Sequence, residues 1–183
     1  MSILTEAPAT IIPAGTWRID PSHSTVEFQI EHMGLATVKG RAPVVSGEIV
    51  GGETPAIRGT VDVTALTTFD EQRDAHLRAP DFFDADRYPE LRFESTSVTV
   101  RDGTLVVDGE LTMKGVTKPV TLTGTIVGTA TDPWGNERLG VQLEATIDRT
   151  AWGLTWNAPL PDGGFLLPNE VTVLASFSAV KKA

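Results

Sequence analysis

The residues that could do chemistry in this chain are few, and its three histidines are the first to consider. His23 lies between two serines, His32 ends a stretch in which apolar and polar residues alternate, and His76 shares a polar segment with Asp74. Imidazole and carboxylate groups can bind metals or act as general bases near neutral pH. The recognised metal-ligand spacings are not found, and neighbours on an extended chain point to opposite sides, so His23 is poorly placed to activate either serine. We therefore predict neither a metal site nor a serine nucleophile.

One segment between two predicted strands is longer than strand connections usually are. It contains Arg73-Asp74-Ala75-His76-Leu77 and then Asp81-Phe82-Phe83-Asp84. A segment that combines aromatic and polar residues can cover the mouth of an apolar pocket and hold the polar end of a ligand. Arg73 is the first candidate for that polar contact. A solvated surface cluster is the alternative interpretation.

The rest of the chain alternates between apolar and polar residues, as in the run Val26, Phe28 and Ile30. This period of two is typical of strands with one buried face, and it favours antiparallel strands over a helix-covered parallel sheet. Turn signals separate about eight such segments. We expect an all-β, eight-stranded antiparallel barrel with a short helical insert near residues 70–84, since closure removes exposed edges. A two-sheet sandwich is the alternative.

Composition limits the number of domains and the kinds of partner. The 183 residues fit one domain at 15–183 that follows a flexible leader at 1–14. A net charge of -9 and a pI near 4.7 oppose binding to nucleic acid or to anionic lipid surfaces. We expect a cytoplasmic protein, because no integral membrane segment or signal pattern is visible and cysteine is absent.

Several short motifs, taken in their order and spacing, resemble the YceI-like family of polyisoprenoid-binding proteins with a lipocalin-like barrel. The motifs are Trp17-Arg-Ile-Asp20-Pro-Ser-His23-Ser24 leading to Val26-Glu-Phe28, His32-Met33-Gly34, Arg73-Asp74-Ala-His76-Leu77, Asp81-Phe82-Phe83-Asp84, Tyr88-Pro89-Glu-Leu-Arg-Phe93-Glu-Ser95, Gly109-Glu-Leu111-Thr112-Met-Lys-Gly115-Val-Thr117-Lys118 and Arg149-Thr-Ala-Trp152-Gly153. The resemblance implies a barrel that encloses a long isoprenoid chain, often in a homodimer, with no established catalytic step. The family tends to have Phe where this chain has Ala42, Val45 and Trp152, so the resemblance leaves pocket shape and tail length open.

The function that we predict is the binding, storage or transport of an isoprenoid lipid, such as an isoprenoid quinone or a polyprenyl chain. The lipid would be a ligand, with no other cofactor. The candidate ligand-binding residues are Phe28, Ile30, Leu77, Phe82, Phe83, Phe93, Trp152 and Phe177 for the apolar part and Arg73, Asp74 and His76 near the head group.

Two other classes of function stay open. An enzyme acting on an isoprenoid-derived substrate would need His23, His32, Asp74 and His76 to converge within hydrogen-bond reach of that substrate. A stress-related β-barrel domain that only mediates protein contacts would be favoured by a solid barrel interior.

Overall fold

The computed structural model describes residues 11–183 of the chain. Within them lie ten strand segments, one α-helix and two short 3-10 turns. The strands are β1 (Gly15–Ile19), β2 (Thr25–His32), β3 (Ala36–Ala42), β4 (Val44–Gly51), β5 (Ala56–Asp62), β6 (Glu90–Arg101), β7 (Thr104–Met113), β8 (Val116–Thr131), β9 (Glu137–Asp148) and β10 (Glu170–Lys181). The helix α1 is Glu71–Arg78, and the 3-10 turns are Pro21–His23 and Arg149–Trp152.

All ten strands belong to one antiparallel sheet that closes on itself. One edge of β10 pairs with β9, and the other edge pairs with β2 through the first half of β10 and with β1 through its last residues. β1 and β2 are therefore two halves of one barrel strand, bent at the turn Pro21–His23. β3 and β4 likewise form one strand that is interrupted at Pro43, which has no N–H to donate. The predicted eight-stranded antiparallel barrel is confirmed, with two of its strands divided.

Apolar side chains fill the barrel completely at the end that carries the β6–β7 and β8–β9 turns. We call this cluster the plug. Its largest fully buried side chains are Ile12, Trp17, Ile19, Ile49, Leu105 and Leu139. All of these except Ile12 lie on strands, where alternation places them on the inner face and packing excludes water.

The plug also includes a residue that precedes β1. Ile12 is 0% exposed, and the indole Nε1 of Trp17 donates to the carbonyl oxygen of Pro13 at 3.0 Å. The predicted flexible leader at 1–14 lies mostly outside the described residues. Its last four residues are described, and the burial of Ile12 among them places the start of the packed fold before residue 15.

The other end of the barrel is covered by the insert at 63–89, which includes α1, and by the loop at 153–169. We call this covering the cap. Its buried side chains Phe82 and Leu154 form one apolar cluster with Met113 of β7 and with Trp152 of the second 3-10 turn. α1 begins after Asp70, whose side chain accepts from the N–H of Arg73 at 2.8 Å. It ends before Pro80, because the residue that precedes a proline disfavours helical geometry. The predicted helical insert is thereby confirmed.

A glycine on β3 makes room for an aromatic ring on β2. Gly40 lies opposite Phe28 in the β2–β3 ladder, and a Cβ at residue 40 would overlap ring carbons of Phe28. The same Cβ would come within 2.9 Å of Cγ2 of Thr68, which belongs to the insert. The missing side chain at this position therefore lets Phe28 lie flat against the barrel wall beneath the insert.

We expect Gly40→Ala to lower the free energy of unfolding by about 1–3 kcal/mol, because the ring of Phe28 must move into a less favourable position. Gly59→Ala on β5 is the matched control, since its added Cβ would come no closer than 3.4 Å to the carbonyl oxygen of Ser46. Urea unfolding of both variants measures the difference. Equal losses of stability would contradict this account of Phe28.

Candidate functional site

A cavity of about 380 Å³ lies inside the barrel between the plug and the cap. Plug residues such as Ile19 and Leu143 contribute to one end of its lining, and cap residues such as Phe82 and Leu154 contribute to the other. Inward-facing apolar side chains of the strands form most of the wall between them. The site is therefore an elongated apolar space that runs along the barrel interior.

The burial of the wall side chains shows that this space is not filled by protein. Ile19 and Ile49 of the plug are at most 1% exposed. Phe28, Phe93 and Phe177 are only half-buried, although they too lie on the inner face and line the cavity. Side chains that point inward keep accessible surface only where the interior is not close-packed. The barrel is hollow in its middle.

The structure brings most of the predicted ligand-binding residues together around this cavity. Those that line it are Phe28, Ile30, Arg73, Leu77, Phe82, Phe83, Phe93 and Phe177. Asp74, His76 and Trp152 are not part of its lining. Contact between the lining residues and a ligand stays a prediction. Ala42, one of the positions where the chain departs from the family pattern, also lines the cavity, whereas Val45 is 48% exposed and does not.

Asp74 is buried, but it faces the chain segment ahead of α1. Its Oδ1 accepts from the N–H of Thr68 at 2.7 Å and from the hydroxyl of Thr68 at 2.6 Å, and its Oδ2 accepts from the hydroxyl of Thr67 at 2.9 Å. Burial raises the pKa of Asp74, but these hydrogen bonds outweigh it and hold that pKa below its ordinary value. Asp74 therefore ties α1 to residues 67–68 and does not form the cavity wall.

Arg73 is oriented by the same threonine. The hydroxyl of Thr68 accepts from Nε of Arg73 at 2.7 Å, and the carbonyl oxygen of Thr68 accepts from Nη2 at 3.0 Å. Because the hydroxyl also donates to Asp74, the three side chains form one hydrogen-bonded chain. This chain holds the guanidinium of Arg73 beside the cavity that it lines.

His76 and Trp152 stabilise the cap from positions outside the cavity lining. Nε2 of His76 lies 3.0 Å from Oδ2 of Asp81, and the imidazole packs edge-on against Phe82 and Trp156 with ring centroids 5.0 Å and 4.8 Å away. Trp152 is 3% exposed and donates its Nε1–H to the carbonyl oxygen of Leu111 at 3.0 Å. His76 thereby joins the insert to the loop at 153–169, and Trp152 joins the turn after β9 to β7, without either residue lining the cavity.

Arg149 is a cavity-lining residue that was not predicted as one. It is 3% exposed, and it donates from Nε to the carbonyl oxygen of Pro168 at 2.9 Å and from Nη1 to those of Leu154 at 2.6 Å and Trp156 at 2.9 Å. Burial lowers the pKa of Arg149, and the charge of Asp148 raises it in part. A lone arginine after a strand carries no sequence signal of burial, since arginine is usually exposed.

The groups required by the enzymatic alternative are held separately. Nδ1 of His23 pairs with Oδ2 of Asp20 at 2.8 Å on the surface, whereas Asp74 binds threonines and His76 pairs with its own aspartate. His32 lines the cavity. In residues 11–183 there is no group of three or more His, Cys, Asp or Glu side chains that could hold a metal ion. His23, Asp74 and His76 are thus each bound to different partners.

We expect Asp74→Ala to lower the free energy of unfolding by about 2–3 kcal/mol, because the buried N–H and hydroxyl of Thr68 lose a charged acceptor. Gln72→Ala, at an exposed position of α1, is the control and should change the free energy of unfolding by less than about 0.5 kcal/mol. Urea unfolding measures both. If the two variants lose equal stability, Asp74 does not hold the insert as described.

The same pair of proteins tests the pH dependence. A pKa that is lowered in the folded state stabilises the protein above the ordinary value of 3.8, and this stabilisation is lost as the pH falls through the folded-state pKa. Below about pH 4, the wild-type protein should therefore lose stability more steeply than Asp74→Ala. Parallel curves would contradict the lowered pKa of Asp74.

A closed eight-stranded antiparallel barrel with an apolar lumen belongs to the class of barrels that can enclose one small ligand. Within that class, the chain belongs to the YceI-like family, because the YceI-like domain matches residues 17–179. In the described residues, no helix has the length and apolar character needed to span a membrane.

Curated relatives agree with this membership. A UPF0312 protein of Vibrio parahaemolyticus is 40% identical over 124 residues, which is 65% of this chain and 66% of that protein. Protein YceI of Shigella flexneri is 37% identical over 140 residues, 73% of each chain. The chain thus spans about two thirds of the length of the Vibrio relative.

Two solved structures show the same fold at lower identity. The YceI protein of Campylobacter jejuni has a TM-score of 0.67 at 24% identity and covers 84% of this chain and 90% of its own. A polyisoprenoid binding domain from Saccharophagus degradans, implicated in plant cell wall breakdown, has a TM-score of 0.66 at 16% identity. That match covers 91% of this chain and 98% of that domain.

Proposed function

We propose that the protein binds an isoprenoid lipid in the cavity of its barrel and stores or carries it without catalysing a reaction. The observation that carries this proposal is the hollow apolar interior between the plug and the cap, with Phe28, Phe93 and Phe177 half-buried on its wall. The likeness to a solved polyisoprenoid binding domain supports it. A hollow interior does not favour the alternative of a pure interaction domain, for which we expected a solid one.

The energetics require that most of the bound tail be enclosed. Burial of about 500 Å² of apolar tail surface at about 25 cal/mol/Å² releases about 12 kcal/mol. The cost of association is about 4–15 kcal/mol, so a tail left half in water would bind weakly. A cavity of about 380 Å³ is near the lower end of the roughly 300–1,000 Å³ range of ligand pockets. This volume favours a short isoprenoid tail or one segment of a longer tail.

The cap is the end at which the head group of the lipid would lie. It provides Arg73, whose guanidinium is oriented by Thr68, whereas the plug end is apolar and closed. A quinone or other oxygen-bearing head group would accept hydrogen bonds there. The homodimer, the cytoplasmic location and the transport role stay predictions.

The absence of catalysis is part of the proposal. Proton transfer needs an acid or base within hydrogen-bond reach of the substrate, and the geometry ties His23, Asp74 and His76 to separate partners. His32 is the remaining candidate on the cavity lining. An enzymatic function would therefore have to depend on His32 without a second acid or base from this set.

Mass spectrometry of an organic-solvent extract of the gently purified protein tests the proposal directly. We expect an isoprenoid lipid in the extract, because a mostly enclosed tail dissociates slowly once the cap covers it. The delipidated protein should then take up an added short-chain ubiquinone. Recovery of no lipid together with no uptake of the quinone would refute lipid binding.

A substitution that fills the lumen gives a second test. Ala145 on β9 lines the cavity, and its neighbour Thr146 is exposed on the opposite face. We expect Ala145→Phe to weaken uptake of the quinone at least about tenfold, because the new ring occupies space that the tail needs. Thr146→Phe should leave uptake unchanged. Circular dichroism confirms the fold of both variants, and equal uptake by the two would contradict the location of the tail.

A further inference from the structure

We propose that the cavity selects a lipid with an anionic oxygen head group, a carboxylate or a phosphate, and that Nη2 of Arg149 donates to it. This inference rests on the proposed function and narrows it to acidic isoprenoid lipids. It places the head group beside Arg149 and the loop at 153–169, and not beside Arg73 of the insert.

The hydrogen bonds of Arg149 leave one part of the guanidinium unused. A guanidinium has five N–H donors. Nε donates to Pro168 and Nη1 donates to Leu154 and Trp156, in each case to a carbonyl oxygen. Nη2 is buried and has no partner within residues 11–183. Buried donors without an acceptor are rare in native proteins, so this nitrogen calls for a further acceptor.

The charge of Arg149 is also incompletely compensated. Its three partners are neutral carbonyl groups, and no carboxylate among residues 11–183 lies within ion-pair distance of it. The nearby Asp148 uses its Oδ1 to accept from the N–H and hydroxyl of Thr150 at 2.9 Å and 2.6 Å. A buried cation is stable only when it is paired, and an anion brought by a ligand would complete the pair.

The position of Arg149 fits a ligand contact. Arg149 lines the same cavity as Leu154, Trp156 and Leu167. Leu154 and Trp156 provide two of the carbonyl oxygens that accept from Arg149, and Leu167 precedes Pro168, which provides the third. Trp156 and Leu167 are only half-buried, and a head group that reaches the buried Nη2 would displace side chains of this lining. A tail that extends from Arg149 would run along the apolar wall towards the plug.

Arg73 is the competing contact, since it also belongs to the cavity lining. Arg73 is an exposed residue, whereas Arg149 is 3% exposed. Water screens an exposed cation and weakens its pairing with an anion, and burial strengthens it. A preference of the cavity for an anionic head group over a neutral one would therefore come from Arg149 and not from Arg73.

The test compares farnesoic acid with methyl farnesoate, which has the same chain and no charge, by calorimetric titration of the delipidated full-length protein. We expect the wild-type protein to bind the acid at least about tenfold more tightly than the ester, the effect of one charge-assisted hydrogen bond. Farnesyl phosphate is titrated in parallel, and the tighter of the two acids identifies the head group. Equal binding of acids and ester would overturn this inference and leave lipid binding intact. Failure of all three probes to bind would overturn this inference, and the proposed function falls with it only if the protein also takes up no ubiquinone.

A measurement on the wild-type protein avoids dependence on a variant that could disturb the loop. In protein labelled with ¹⁵N-arginine, the Nη2 signals of Arg149, assigned by their loss in Arg149→Lys, should shift with farnesoic acid and not with methyl farnesoate. Arg87→Met removes one exposed cation outside the cavity lining and is the control for net charge; it should keep the tenfold preference. Nη2 signals that do not move would place the head group elsewhere. The same conclusion would follow if Arg73→Met lost the preference for the acid over the ester while Arg149→Lys kept it.

Discussion

The division of the barrel interior into a packed end and an open middle is the constraint on which the rest of this structure depends. Each large side chain that is fully buried in the plug, such as Trp17, Ile49 or Leu139, contributes about 1.5–3 kcal/mol through the hydrophobic effect. An unfilled core elsewhere destabilises a protein because the lining side chains lose contacts. The plug offsets that loss, and it lets the remaining inner faces of the strands serve a ligand.

The cap solves a different physical problem, since an apolar lumen must be closed without being filled. Phe82 and Leu154 cover it with apolar surface, and hydrogen bonds of buried polar groups hold the covering segments in place. Asp74 joins α1 to the chain ahead of it, and Arg149 joins the end of β9 to the following loop. Asp74 and Arg149 thus hold the segments that cover the cavity. Arg149 also lines the cavity, whereas Asp74 does not.

Much of the fold follows from local patterns in the sequence. The alternation along the strands predicts that Phe28, Phe93 and Phe177 face inward, because successive side chains on a strand point to opposite sides. The helical insert follows from an aspartate cap and a proline stop. The division of one strand at Pro43 and the burial of Ile12 ahead of β1 depend on packing between distant segments, which no local pattern contains.

The site was less predictable than the fold for the same reason. The sequence shows which side chains face inward, but whether eight strands leave space between them depends on how all their side chains pack. The polar cluster around Asp74 predicts a head-group contact. In the structure, however, the carboxylate of Asp74 already accepts hydrogen bonds from residues immediately ahead of α1. Arg149 belongs to a recognisable motif, and its burial follows only from the path of the loop at 153–169.

Xenon binding measures the central claim most directly, because xenon enters apolar cavities that water leaves empty. Crystals of the delipidated protein under xenon pressure should show xenon inside the barrel between the plug and the cap, within contact of the rings of Phe28, Phe93 and Phe177. A barrel interior filled by side chains along its whole length, with no xenon in it, would contradict the account.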